Sequence, residues 1–181
     1  TRTQAESKQP KTKDSIDTTQ FPIVYDYKVN STNAEGRPAT DSMQVATLVG
    51  NRVTKCLEYN RAMLEDFGES FNKVFQHGEW DARQYNLPVL YVNHPEGETR
   101  SFDKIVPHRY LVKGKVPVIS WKLSDDTLTI GGYLCHKAIG EYAGRTWTTW
   151  YTEEIPSSAG PWKLRGLPGL ILKAEDGKGL F

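Results

Sequence analysis

The sequence predicts a mainly β fold of the α+β class: a large curved antiparallel sheet or half-barrel with one amphipathic helix covering a face. Three observations lead there. Eight or nine short runs alternate apolar and polar residues with the period of two that a half-buried strand requires. Gly, Pro, Asp and Asn recur between these runs, where hairpin turns need them. Only once does the period lengthen to that of a helix. A half-barrel like that of bacterial lipoprotein carriers fits this count by analogy of fold, which does not decide function.

In chain order, residues 1–19 are rich in Lys, Gln, Thr and Ser without apolar period, which predicts a disordered tail ahead of one domain spanning residues 20–181. Phe21 to Val29 reads as the first strand, with Ile23, Tyr25 and Tyr27 on one face, and Asn30 to Thr40 as a long turn holding Gly36 and Pro38. Met43 to Val49 and Val53 to Tyr59 alternate on either side of Gly50-Asn51, a hairpin signal. Met63, Phe67, Phe71 and Val74 then recur at helical spacing, so Asn60 to about Gln76 is expected to be the covering helix, with Asn60 as N-cap and Gly78 as its stop. Strands follow at Leu87 to Asn93, Thr99 to Val106, His108 to Val112, Val116 to Leu123, Leu128 to Tyr142, Arg145 to Thr152 and Leu170 to Glu175. Within Arg145 to Thr152, Trp147, Thr149 and Tyr151 share one face, and Thr146, Thr148 and Trp150 the other. After the Pro/Gly loop Glu153 to Pro161, extended chain is expected from near Trp162. Asp176-Gly177 reads as a hairpin turn and Gly179 to Phe181 as the start of a returning strand, so the expectation is that the natural protein continues past Phe181 and that this domain is truncated.

The segment Gly144 to Leu172 is the most specific part of the chain. It places Gly144-Arg145, Trp147, Trp150-Tyr151-Thr152, Ile155-Pro156 and Gly160-Pro161-Trp162 before the hexapeptide Gly166, Leu167, Pro168, Gly169, Leu170 and Ile171. This pattern resembles the signature of the GLPGLI family, exported proteins found chiefly in bacteria of the Bacteroidetes group; Thr149 stands where a small Ala is more usual. The resemblance implies a β-rich protein that is periplasmic or secreted. It implies no reaction, because the family has no established activity to carry over. A removed export signal, or a shortened chain, accounts for a first residue that is Thr1 rather than Met.

Composition narrows the function classes. The 181 residues suffice to bury roughly 70% of the unfolded surface, so no disulfide framework is required. A net charge of +1, from 23 basic and 22 acidic residues, supplies no broad field for nucleic acid. No apolar run approaches the roughly 20 residues of a membrane-spanning helix. Cys56 and Cys135 read first as strand residues, although export would permit a disulfide between them. His77, His94, His108 and His136 stand apart, without the spacing of a metal site, so neither metal nor cofactor is expected. Asp125-Asp126 reads as a turn, and Glu153-Glu154 are neighbours that point to opposite faces and make no facing acid–base pair. Ser157 and Ser158 lack a nucleophile elbow.

What remains is aromatic. Arg145 is expected to lie over an indole or to hydrogen-bond carbonyls of the Ile155 to Gly160 loop. Trp147, Trp150, Tyr151 and Trp162 either build scaffold or, with Arg145, line a groove for peptide, glycan or lipid; the scaffold role is favoured. The expected function is that of a non-catalytic binding or accessory protein for a peptide, protein or nutrient-derived ligand. A carrier of a hydrophobic ligand or lipoprotein is the alternative, and a hydrolase follows as third.

Overall fold

The computed structural model describes residues 16–59, 87–105 and 108–177. These form ten strands in two antiparallel sheets, and not the single curved sheet expected. The first sheet runs in chain order through β1 (Thr19–Thr32), β2 (Pro38–Gly50), β3 (Thr54–Glu58), β4 (Val89–Val92), β5 (Glu98–Ile105) and β6 (His108–Lys115). The second contains β7 (Trp121–Ile130), β8 (Tyr133–Tyr142), β9 (Arg145–Thr152) and β10 (Leu170–Asp176), ordered β10-β9-β8-β7. Neither sheet closes on itself into a barrel among the described residues. The expected helix, including Met63, Phe67, Phe71 and Val74, lies outside the described residues, as do His77 and the returning strand Gly179 to Phe181.

The division into two sheets falls at one segment. Residues 116–120, expected to open a strand, belong to no ladder, and Pro117 has no N–H to give one. The Val116 amide instead donates to the Gly97 carbonyl at 2.9 Å. Val116 packs beside Cys56, Leu90 and Val92 of the first sheet, whereas Ile119 sits in the core of the second. The crossing segment is therefore anchored at one end in each core.

Two other boundaries differ from expectation. Strand β1 begins at Thr19 and continues to Thr32, and the turn shrinks to Asn33–Arg37 because the Asn33 Oδ1 accepts the amides of Glu35 and Arg37 at 3.0 and 2.9 Å. The single long strand expected over Leu128 to Tyr142 is a hairpin, since Gly131 and Gly132 take φ of 58° and 88° and supply both positive-φ positions of a two-residue turn. Asp125-Asp126 form no turn. They lie within β7 where its register to β8 slips between Leu123 and Thr127, and Asp126 pairs with Lys137 at 2.8 Å.

Alternation in β1 is as read: Tyr25 is buried, Ile23 and Tyr27 half-buried, and Val24 and Asp26 exposed. The inner face of the first sheet carries Val45, Thr47, Cys56, Leu90 and Val92, all nearly inaccessible. Facing them are the loop 153–169 and the start of β10. Ala159 and Leu170 pack with Val49, Phe21 and Ile23, and the Tyr25 hydroxyl donates to the Ile171 carbonyl at 2.7 Å. That bond ties the two sheets together inside the core. Replacing Tyr25 by Phe keeps the ring and removes this bond to the carbonyl, which is expected to cost about 1 to 2 kcal/mol and lower the melting temperature by roughly 2 to 8 °C. A Tyr25→Phe protein that melts with wild type would show that the bond contributes nothing to joining the sheets.

Candidate functional site

The signature segment is built around two glycines with different reasons to be glycine. Gly166 takes φ of 93°, the left-handed region that side chains avoid. Gly169 is needed for space: a Cβ there would come within 2.8 Å of the Glu153 nitrogen and closer still to the Thr152 carbonyl. Between them the chain folds back on itself. The Ile155 carbonyl accepts the Leu170 amide at 3.1 Å, Ala159 accepts Ile171 at 3.1 Å, and Ser158 accepts Gly166 at 3.0 Å. Strand alternation sends successive residues into different cores, Ile171 into that of the second sheet and Leu170 and Leu172 into the first, and the register to β9 slips just after Ile171.

The sequence-predicted site residues are placed by this frame and are not gathered into one groove. Trp147 and Tyr151 lie on the inner face of β9 with Ala138, Leu164 and Leu167. The Trp147 indole N–H donates to the Tyr142 carbonyl at 3.2 Å. Trp150 faces the other way and carries the Lys137 ammonium 5.9 Å from its ring centroid. Trp162, with φ of 56°, packs under the first sheet against Cys56, Leu90 and Val92. Chain between Trp162 and Gly169 is irregular, so the strand expected from Trp162 begins at Leu170. Arg145 also has an ion-pair partner that the sequence did not point to. Its guanidinium pairs with the Asp176 carboxylate at 2.6 Å, and that carboxylate side chain is 0% exposed.

Both cysteines are free and buried. The Cys56 sulfur accepts from the Thr47 hydroxyl at 3.5 Å, and its thiol donates to the Trp162 carbonyl at 3.8 Å. Burial pushes the Cys56 thiol up to about 11, and burial also raises Cys135. Native protein at pH 8 is therefore expected to react with an aromatic disulfide reagent at least tenfold more slowly than the same protein in guanidinium, which should yield two thiols. Fast labelling without denaturant would contradict the packed interior.

The remaining candidate chemistry is dispersed. Ser157 Oγ accepts the Ala159 amide at 3.2 Å, a turn contact, and Glu154 Oε1 accepts the Leu134 amide at 3.0 Å. His94 lies 6.1 Å from the Tyr91 ring, His108 6.3 Å from Tyr110, and His136 6.0 Å from Tyr151. Among the described residues, no three His, Cys, Asp or Glu side chains converge as a metal site would require.

The structure brings together something else at the junction of the sheets. Two adjoining clefts, of about 370 and 400 Å³, share Asn51, Arg52 and Arg165. The first runs from Phe21 and Thr54 to Pro156, Ser157 and Ser158; the second continues to Asn93, His94 and Glu96. Each has the volume of a small-ligand site, about 300 to 1,000 Å³. The turn between β2 and β3 is held by Asp17, whose Oδ2 accepts the Arg52 and Val53 amides at 2.7 and 2.9 Å. Those backbone bonds hold the Asp17 carboxyl down at about 2. On the opposite wall, the Trp121 indole N–H donates to the Arg165 carbonyl at 2.8 Å. Arg52 and Arg165 escape a reading of the sequence because no local pattern links two arginines so far apart in the chain.

The fold and this site define a two-sheet β protein with a polar cleft where the loop between β9 and β10 meets the first sheet. Residues 143–173 match the model of a family described as a protein of unknown function (Porph_ging). Among curated proteins none matches the chain. Two solved structures of PNGF-II are similar in fold, one in space group C2 with a TM-score of 0.52 and 19% identity, the other in P21 with 0.55 and 18%. They align over 86% and 87% of this chain but only 25% and 26% of theirs, so it spans about a quarter of the PNGF-II length.

Proposed function

We propose that this chain is a non-catalytic binding or accessory protein of the cell envelope, of the GLPGLI type, periplasmic or secreted, which takes a peptide, protein or other nutrient-derived ligand. The observation that carries this reading is the pair of adjoining clefts that share Asn51 and Arg52 of the turn between β2 and β3 and Arg165 of the signature loop, with Ser157 and Ser158 of that loop lining the first. Polar side chains set on a hydrogen-bonded frame suit a ligand with polar groups of its own, and less so an acyl chain. Localisation rests on the resemblance of the segment Gly144 to Leu172 to exported proteins.

Thermal melting in the presence of pooled tripeptides, of mixed oligosaccharides and of palmitate tests it. A saturating ligand at a hundred times its Kd stabilises by about 2.7 kcal/mol, which is expected to raise the melting temperature by roughly 5 to 10 °C with peptides or saccharides. Stabilisation by palmitate alone would assign the chain to hydrophobic carriers. Release of peptide fragments or sugars, detected by mass spectrometry, would make it a hydrolase, and no shift with any of the three would overturn the binding reading.

A further inference from the structure

The two arginines of the junction are unusual in how firmly they are placed and in what they lack. Arg52 is fixed at both backbone groups: its N–H donates to Asp17, and its carbonyl accepts from the Asn93 side chain at 2.9 Å. Arg165 is held through its carbonyl by Trp121, which in turn lies over Gly140, where a Cβ would come within 2.6 Å of the indole. Both walls are thus set before any ligand arrives, which reduces the ordering cost of binding. Neither guanidinium is ion-paired among the described residues. Arg52 feels the field of Asp17, but the oxygens of that carboxylate are turned to the amides of Thr18, Arg52 and Val53. Arg165 is half-buried, and burial disfavours its charge.

Two cations sharing one cleft, one of them partly desolvated, are stabilised by an anion that both can grip. The planar fork of each guanidinium matches a carboxylate in two parallel hydrogen bonds. The second cleft adds Glu96, which repels an anion there and accepts from donors, and Asn93 and His94 beside it. The anionic end of a ligand therefore belongs with Ser157 and Ser158 in the first cleft, and its N–H groups in the second.

Resting on the binding function proposed above, we propose that Arg52 and Arg165 form a carboxylate site that grips the free C-terminus of a short peptide, whose chain runs on into the cleft beside Glu96. The test is calorimetric titration of a pooled tripeptide library with free C-termini against the same library amidated. The free-acid library should bind at least tenfold more tightly than the amide. Arg165→Gln and Arg52→Gln should each abolish most of that difference between acid and amide, and melt within a few degrees of wild type. Arg165→Lys, which keeps charge without the fork, should fall between. Equal affinity for acid and amide would overturn the arginine site while leaving peptide binding intact; binding of neither library would remove both. Displacement of the acid library by inorganic phosphate at equal concentration would also overturn the proposal and reassign the site to phosphate.

Discussion

Gly169→Ala is expected to be the most damaging glycine-to-alanine change among the described residues. The obstruction is backbone on every side: the new Cβ would stand 2.5 Å from the Thr152 carbonyl carbon and 2.8 Å from the Glu153 nitrogen. No rotamer change relieves it. Relief requires the start of β10 to move off β9 at the Leu170–Thr152 pair, and that movement withdraws Leu170 and Ile171, 1% and 0% exposed, from two cores at once. Overpacking of this kind costs about 3 kcal/mol or more, equivalent to a melting temperature lower by roughly 6 to 12 °C for a chain of this size. Gly166→Ala provides the contrast, because there the space is open and only the backbone conformation resists, at about 1 kcal/mol. Differential scanning calorimetry of the two variants should rank them clearly. Equal melting of Gly169→Ala and wild type would mean that the hexapeptide does not run against β9 as described.

Arg145→Ala is the second large effect expected. It takes away the guanidinium paired with the Asp176 carboxylate, whose side chain is 0% exposed. Breaking a buried pair from one side costs about 3 to 5 kcal/mol, whereas replacing both partners with apolar residues of similar size is often neutral or better. The double variant Arg145→Met, Asp176→Leu is therefore expected to recover most of the stability that Arg145→Ala loses. Arg145 is 31% exposed at its side chain, so solvent screening places the single variant at the lower end of that range. Chemical denaturation at pH 7 measures both. A stable Arg145→Ala protein that no longer binds ligand would reverse the assignment of this residue from scaffold to site.

These effects fall on residues that the sequence already marked, in the scaffold role it favoured for them. The resemblance drew attention to Arg145, Trp147, Tyr151 and Trp162, and each is held in the structure by burial or by hydrogen bonds to the frame. Gly166 and Gly169 of the hexapeptide divide two roles between them: one takes a positive φ, and the other admits the backbone of Thr152 and Glu153.

Strand alternation, the hairpin between β2 and β3, the two faces of β9 and the placement of β10 were legible because each is a local matter of period, turn residue and side-chain shape. The partition into two sheets was not, since it depends on which cores Val116 and Ile119 reach on either side of Pro117. Nor was the partner of Arg145, as Asp176 becomes its neighbour only when β10 pairs with β9. Arg52 and Arg165 are the clearest case. Charge acts through space, and two arginines in unrelated stretches of sequence become a site only when one hairpin turn and one glycine-rich loop are packed against the same cleft.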